Sequence, residues 1–203
     1  QHSHIQPEEQ ISRENFYTVD VVVALTDAST INREWEYDRY DRRAVWLDTP
    51  KSAQDKKYDR YHQKEVDLII KETKEFLKFV KSNPTNLEGE PWTIAILTFY
   101  KPQETLIRKS LRELFDQPNK MSRFNKGNTS ILLYTVDKFQ GMEADIVFLS
   151  MVRGSTIGFM DNINRLNVAL TRAKYQRVIV GDKRFFTQQK NSEELKKLAG
   201  NGE

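Results

Sequence analysis

The chain has 203 residues, of which 38% are hydrophobic and 30% are charged. This length and composition suit one folded domain with its own core and exclude a disordered tail. Its net charge of +3 permits nucleic-acid binding without arguing for it. No apolar run approaches the roughly 20 residues of a membrane span, and no signal-peptide pattern is present, so we expect an intracellular compartment and no membrane partner.

Residues that form disulfides or bind metals are scarce. The chain has no cysteine and only three histidines, and no pair of histidines has the spacing of metal ligands. Disulfide frameworks and thiolate metal sites are therefore excluded. We expect no metal site supplied by this chain alone.

The predicted elements alternate in chain order between strands and helices, a pattern that favours a parallel sheet sandwiched by helices. The predicted strands are Val19–Leu25, Ala44–Leu47, Thr93–Thr98, Ile131–Val136, Asp145–Val152 and Arg177–Val180. The predicted helices, from apolar residues at helical spacing, are Glu65–Val80, Gln103–Phe115 and Arg165–Lys174. The segments Ser82–Pro91 and Pro118–Thr129 are predicted to be polar connections.

Charge divides the chain into three parts. Residues 27–43 are highly charged and interrupt the α/β rhythm, so residues 1–43 are interpreted as an extension or linker. Residues 44–188 form the predicted α/β domain. Residues 189–203 form a predicted polar tail.

The segment TVDKFQGMEAD, residues 135–145, joins two strongly apolar strands. It carries several polar side chains and Gly141, which lets the backbone approach a phosphate closely. Because parallel sheets bind ligands at the carboxyl ends of their strands, we expect a site there. The simpler interpretation is a solvated loop between two strands.

The segment NRLNVALTRAK, residues 164–174, places Arg165, Asn167 and Arg172 on an otherwise apolar helix. Burying most of such a helix with two arginines is costly unless the arginines meet anions. The alternative interpretation is a helix whose arginines form weak surface ion pairs.

Together, in order and spacing, these two segments resemble motifs V and VI of superfamily 1 helicases. TVDKFQGMEADIVFLSMVR, then IGFM, then NRLNVALTRAK, is most similar to the up-frameshift-like branch. Upstream, ILTFYKPQ at residues 96–103 resembles motif IV of that branch. The resemblance covers roughly residues 44–182 and implies a second RecA-like domain.

The resemblance implies half of an ATP site. Arg172 matches the arginine finger, which stabilises charge on the transferring phosphoryl group. Gln140, Gly141 and Glu143 match the nucleotide side of motif V, with the carboxylate accepting from a ribose hydroxyl. Arg165, with Asn167, matches residues that support the finger or bridge motifs V and VI.

The resemblance also implies contacts with a single strand of DNA or RNA. Thr135 and Asp137 match the nucleic-acid side of motif V, and Thr98 and Tyr100 match motif IV positions near the strand. An aromatic ring such as that of Tyr100 stacks on bases of either nucleic acid.

The chain departs from the branch pattern at several positions. Phe99 stands where the branch often has proline, and Asn164 stands where it often has arginine. The stretch 153–156 is shorter than usual. Gln63 occupies the place of a further arginine, which puts a second γ-phosphate contact in doubt.

A phosphate-binding loop of the form G-x-x-x-x-G-K-S/T is missing from the chain. Ala44–Asp48 resembles a Walker B strand, but no glutamate follows Asp48. We therefore expect ATP and Mg²⁺ to be bound jointly with a Walker-containing first RecA-like domain of the same parent protein. The chain alone is predicted not to hydrolyse ATP.

Two other functions fit parts of the sequence. One is a non-catalytic nucleic-acid-binding or regulatory module that keeps the helicase fold. The other is a metal-dependent nuclease, because Asp48 with Glu72 and Lys74 mimics a D…E-x-K arrangement. Glu72 and Lys74 are two residues apart on a predicted helix and point in different directions, which favours a solvated helix face.

Overall fold

The computed structural model describes residues 36–116, 122–152, 165 and 169–187. We number strands and helices in chain order. The strands are β1 Ala44–Asp48, β2 Trp92–Thr98, β3 Arg123–Lys126, β4 Thr129–Thr135, β5 Ala144–Ser150 and β6 Ala173–Gly181. The helices are α1 Gln63–Ser82, α2 Lys101–Phe115 and α3 Lys183–Thr187, with short 3₁₀ helices at Asp55–Lys57 and Val136–Phe139.

The six strands form one sheet in the order β1-β6-β5-β2-β4-β3. Every pairing is parallel except that of β3 with β4. The predicted parallel sheet with flanking helices is therefore confirmed. It has one further strand that was not predicted, the antiparallel edge strand β3.

Strand β3 lies within the stretch predicted to be a polar connection. Only Phe124 of its four residues is buried, so the strand lacks the apolar alternation that marks a strand in a sequence. A two-residue turn with a positive φ of 56° at Gly127 brings β3 back onto β4. Pairing with β4, rather than local composition, makes this segment a strand.

The boundary between the last predicted helix and strand is also corrected. Residues 165 and 169–171 are helical, but β6 already begins at Ala173, so the predicted helix end at Lys174 is too late. A register irregularity between Ala144 and Ile146 of β5 accommodates the extra length of β6. The predicted strand Val19–Leu25 lies outside the described residues.

Two apolar cores cover the two faces of the sheet. Strand β2 alternates between them, with Ile94 and Ile96 facing one core and Ala95 and Leu97 facing the other. Buried residues of α1 and α2 complete the first core, on what we call the α1/α2 face, namely Val66, Ile69, Phe76, Ile107 and Leu111. Phe139, Ala169 and Leu170 complete the second, on what we call the motif face. A strand buried on both sides explains why β2 reads as a continuous apolar run.

Residues 36–43 pack on the domain ahead of β1. Tyr37 and Tyr40 are buried in the core of the α1/α2 face, and the Tyr37 ring lies 5.1 Å from the Phe76 ring. Arg39 forms an ion pair with Glu72 of α1. The division of the chain at residues 43 and 188 stays a prediction.

No helix among the described residues is long and apolar enough to cross a membrane.

Candidate nucleotide and nucleic-acid site

Residues 136–143, which join β4 to β5, separate the predicted site residues into two groups. Strands β4 and β5 both run parallel to β2, so this connection must cross from the edge where β4 ends to the edge where β5 begins. We call these the carboxyl edge, where Thr98, Thr135 and Ser150 end their strands, and the amino edge, where Ala144 and Ala173 begin theirs.

The expectation that the whole of segment 135–145 lies at the carboxyl ends of the strands is therefore wrong. Thr135 and Asp137 lie at or near the carboxyl edge, whereas Glu143 comes directly before β5 at the amino edge. Arg172 comes directly before β6 at the same edge. The Ala144 N–H donates to the Arg172 carbonyl at 3.0 Å, which fixes the backbones beside Glu143 and Arg172 together.

A tight turn presents the nucleotide-side residues of the connection. The Met142 N–H donates to the Phe139 carbonyl at 3.1 Å, and Gln140 and Gly141 at the turn centre have φ of −55° and 77°. This is the geometry of a type II turn, which requires a positive φ at its third residue. Gly141 is thus explained by the turn itself, and Gln140, Gly141 and Glu143 are all exposed.

Arg172 is half-buried, and its guanidinium is not engaged by a carboxylate of any described residue. Its Nε atom is buried and has no hydrogen-bond partner. Phe139 is fully buried and anchors the neighbouring connection in the core of the motif face. The backbone around the arginine is therefore held in place, while its charge has no carboxylate partner in the part of the chain that the structure describes.

Arg165 joins the regions of motifs IV, V and VI at one point. Its Nε and Nη2 atoms donate to the two carboxylate oxygens of Asp137 at 3.0 and 2.9 Å. Its guanidinium lies 5.2 Å from the centre of the Phe99 ring. The side chain of Arg165 is 18% exposed and that of Asp137 is 61% exposed, so this bidentate pair is half open to solvent. The pair forms the bridge between segments 135–145 and 164–174.

The other residues predicted to contact nucleic acid lie close together, but their side chains are buried. Thr98 and Thr135 are neighbours in the register of β2 and β4, and the Thr98 hydroxyl accepts from the Tyr100 N–H at 3.4 Å. Thr98, Tyr100 and Thr135 are 0%, 4% and 7% exposed. In this conformation Tyr100 offers no ring face for stacking, so direct contacts by these three side chains stay a prediction.

Sequence reasoning missed a buried polar network at the carboxyl edge. Glu65, in the first turn of α1, has no exposed surface. Its Oε1 atom accepts from the Ser150 hydroxyl and from the Val152 N–H, both at 2.9 Å. Its Oε2 atom lies 2.8 Å from Nδ1 of the buried His62. The signal in the sequence is a glutamate four residues before Ile69, on the apolar stripe of the helix.

Gln103 ties this network to the motif IV region. Its side-chain oxygen accepts from the His62 N–H at 2.9 Å, and its amide donates to the Ser150 hydroxyl at 3.0 Å. The network therefore joins the starts of α1 and α2 to the end of β5. It also holds Val152 at a φ of 70°, a left-handed conformation that is strained for a β-branched residue.

Asp145, the last residue of segment 135–145, is structural. It is fully buried, and its carboxylate accepts from the Thr93 N–H at 2.7 Å and from the Asn86 amide at 3.3 Å. Burial raises the pKa of this carboxyl, while the hydrogen bonds from Thr93 and Asn86 oppose the rise. The hydrogen bonds of Asp145 therefore link β5 to β2 and to the loop that precedes β2.

The residues of the nuclease alternative do not come together. Asp48 accepts from the Lys183 N–H at 2.9 Å, whereas Glu72 is buried and paired with Arg39. Lys74 lines a cavity of about 560 Å³ between α1, the end of α2 and the β3–β4 turn. Within the part of the chain that the structure describes, no three His, Asp or Glu side chains are grouped to hold a metal ion.

Comparisons with known proteins agree with the motifs. The family model described as "AAA domain" matches residues 3–184. "Probable helicase senataxin" of Mus musculus is 31% identical over 176 residues, which are 84% of this chain and 6% of that protein. An uncharacterized ATP-dependent helicase of Methanocaldococcus jannaschii is 31% identical over 139 residues, 68% of this chain and 17% of that protein. The chain thus spans a small part of each of these relatives.

Two further matches complete the comparison. The "Regulator of nonsense transcripts 1 homolog" of Drosophila melanogaster is 37% identical over 103 residues, 49% of this chain and 8% of that protein. The solved C-terminal domain of a possible DNA helicase from Lactobacillus plantarum WCFS1 covers 90% of each chain at 14% identity with a TM-score of 0.49, a likeness too distant to bear on the assignment. The chain belongs to the AAA domain family, with the motifs of a superfamily 1 helicase of the up-frameshift-like branch.

Proposed function

We propose that this chain is the second motor domain of an ATP-dependent helicase or translocase. In this proposal the amino edge supplies Arg172 to ATP that a Walker-containing first domain of the same parent protein holds. The observation that carries the proposal is Arg172 itself, whose backbone is fixed by Ala144 while its guanidinium has no carboxylate partner among the described residues. The parent protein would act inside the cell, where ATP and nucleic acid meet.

The chemistry assigned to Arg172 is electrostatic. Water attacks the γ-phosphorus, the bond to the bridging oxygen breaks, and ADP and phosphate leave. The guanidinium stabilises the negative charge that spreads over the transferring phosphoryl group, an effect worth several orders of magnitude in rate in related enzymes. Mg²⁺ adds charge neutralisation when it is bound, and we assign its ligands to the ATP phosphates and the first domain.

Gln140 and Glu143 complete this half of the nucleotide site in the proposal. Both are exposed: Gln140 lies within the turn that Gly141 makes possible, and Glu143 follows the turn directly before β5 at the amino edge. The Glu143 carboxylate would accept hydrogen bonds from a ribose hydroxyl, because an ionised carboxylate is an acceptor only. Their position next to Arg172 supports a shared role.

We assign the single-stranded nucleic acid to the carboxyl edge. Asp137 is exposed there and its partner Arg165 comes from the motif VI region, so movement of Arg165 would be felt at this edge. The connection 136–143 joins this edge to the nucleotide edge in only eight residues. In this proposal, closure of the cleft around ATP moves this connection and so changes the contacts with the nucleic acid. The same movement would expose Thr98, Tyr100 and Thr135.

The experiment that tests the proposal measures ATPase activity of the parent protein stimulated by single-stranded nucleic acid. Arg172→Ala should reduce kcat by about a thousandfold or more, with nucleotide binding largely retained. Arg172→Lys should restore little, since a point charge does not replace a planar guanidinium. Arg123→Ala, an exposed arginine on the far edge strand, is the matched control and should behave as wild type.

An unchanged rate in Arg172→Ala would exclude the finger. A parent protein that binds single strands but hydrolyses nothing would instead support the non-catalytic binding or regulatory module.

A further inference from the structure

Two arginines flank the turn from Leu170 to Lys174 at the amino edge, and a third, Arg172, lies within it. The Arg43 Nη2 atom donates to the Lys174 carbonyl at 2.9 Å, and the Arg177 Nε atom donates to the Leu170 carbonyl. The Arg177 N–H in turn donates to the Arg43 carbonyl at 2.8 Å. The two arginines that flank the turn are therefore also neighbours of each other.

These three guanidiniums have no anionic partner among the described residues. The side-chain hydrogen bonds of Arg43 and Arg177 end on main-chain carbonyls, and none of the three arginines takes part in an ion pair with a described carboxylate. The Nε atoms of Arg43 and Arg172 and the Nη1 atom of Arg177 are buried and have no hydrogen-bond partner at all. Glu88, a carboxylate that reaches the turn, is paired with Lys174.

Of the three arginines, Arg177 reduces the stability of the folded state the most. It is 8% exposed, and burial together with the charge of Arg43 lowers its pKa to about 10. A carbonyl at the end of a helix attracts a cation but does not neutralise it. A buried charge without a counter-charge is normally less stable than an apolar side chain of similar size. The position thus costs stability unless an anion joins the three arginines.

The place of the cluster indicates which anion this is. Arg43 precedes β1 and Arg172 precedes β6, so both lie at the amino edge beside Gln140 and Glu143. Both are half-buried and give the cluster its opening to solvent, while Arg177 lies beneath the turn. Three cations grouped around one turn suit a polyphosphate, whose several negative charges one carboxylate could not match.

We propose that Arg43, Arg172 and Arg177 form one binding site for the phosphate groups of a nucleoside triphosphate. Arg43 and Arg172 contact the phosphate oxygens, and Arg177 is a positioning residue that holds the turn and raises the positive potential under it. The identity of the ligand as a nucleotide rests on the proposed function. The existence of an anion site does not, since it is argued from arginines that have no anionic partner among the described residues.

The test uses thermal unfolding of the 203-residue chain with and without sodium pyrophosphate, and then with ATP. Pyrophosphate should raise the Tm of the wild-type chain. Arg177→Met should unfold at the same or a higher Tm than wild type without ligand, and should bind pyrophosphate about tenfold more weakly by calorimetry. Arg43→Met should show the same pattern, and Arg177→Lys should recover part of the binding.

Arg123→Met is the control and should leave the ligand-induced rise unchanged, because Arg123 is exposed on β3. A purely structural role of Arg177 predicts the opposite sign, a lower Tm without ligand in both Arg177→Met and Arg43→Met, and that result would overturn the proposal. So would a wild-type chain that ignores pyrophosphate, or one that binds a single-stranded oligonucleotide through these arginines instead.

The two proposals fail separately. If Arg172→Ala abolishes ATPase activity of the parent protein while Arg43→Met and Arg177→Met bind pyrophosphate like wild type, only this inference is wrong. If pyrophosphate binding depends on the three arginines while the parent protein hydrolyses nothing, the anion site stands and the motor function falls.

Discussion

Glu65 shows how one buried side chain can hold several elements together. Its carboxylate accepts hydrogen bonds from the Ser150 hydroxyl and the Val152 N–H and contacts the His62 ring. Removing this carboxylate leaves two buried donors without an acceptor, and each unsatisfied donor costs about 1–3 kcal/mol of stability. The strained left-handed backbone at Val152 would lose its restraint at the same time.

We therefore expect Glu65→Ala to lower the free energy of unfolding by about 2–6 kcal/mol in urea titrations. Glu65→Gln should cost less, because an amide oxygen can still accept from both donors. Glu75→Ala on the same helix is the control. Glu75 pairs with Lys78 at 3.0 Å and with Arg39 at 3.9 Å, and both pairs are open to solvent, so its loss should change stability by less than about 1 kcal/mol. Equal effects at positions 65 and 75 would show that the network contributes nothing.

A second prediction concerns Arg177 and the pH dependence of the free energy of unfolding. Its pKa is lowered to about 10 by burial, so the folded chain holds this proton less tightly than the unfolded chain does. The unfolded state therefore binds more protons around this pH, and this residue makes unfolding free energy rise as pH rises through about 10. Keeping Arg177 charged at neutral pH costs on the order of 3 kcal/mol.

The stability advantage expected for Arg177→Met over wild type should thus be largest at neutral pH and should narrow above pH of about 10. Denaturant titrations of both proteins at several alkaline pH values measure this difference. Other lysine and tyrosine titrations are common to the two proteins and cancel. A difference that stays constant, or grows, with rising pH would contradict a charged and uncompensated Arg177.

The connection between β4 and β5 depends on the type II turn around Gly141. A positive φ costs an L-residue about 1–2 kcal/mol, whereas asparagine tolerates it better. Gly141→Ala should therefore destabilise the domain by about 1–2 kcal/mol, and Gly141→Asn by less. Gln140→Ala, at the turn position with negative φ, should be nearly neutral. An alanine as well tolerated at 141 as at 140 would mean that the turn does not constrain the connection.

Elements differ in how far the sequence predicts them. The long helices α1 and α2 follow from apolar residues at helical spacing, and their predicted bounds lie within two residues of those in the structure. Strand β2 follows from an apolar run buried on both faces. Strand β3 and the start of β6 escape prediction. The polar segment β3 becomes a strand by forming a hairpin with β4, and the start of β6 becomes a strand by pairing with β5, which is distant in the chain.

At the scale of the whole molecule, the sheet keeps the two proposed ligands apart. The residues proposed to contact the nucleotide lie at the amino edge, and those proposed to contact the nucleic acid lie at the carboxyl edge. The amino edge supplies cations but no phosphate-binding loop, since that pattern is missing from the chain. Half of a nucleotide site can bind phosphate without catalysing its transfer.

The isolated chain is therefore predicted not to turn over ATP. Steady-state phosphate release by the purified chain should equal that of its Arg172→Ala variant, with and without single-stranded nucleic acid. The parent protein should be active in the same assay. Hydrolysis by the isolated chain above the variant control would contradict a site shared between two domains.

The sequence by itself determined the family and the candidate residues Gln140, Glu143, Arg165 and Arg172, because motif spacing is a property of contiguous residues. It also determined the parallel α/β class through local periodicity. Only the tertiary structure decided that segment 135–145 reaches from one edge of the sheet to the other, that Asp145 and Glu65 are structural, and that Arg43 and Arg177 flank the turn at Arg172. Those facts arise from strand pairing and burial between residues far apart in the chain, which no local pattern encodes.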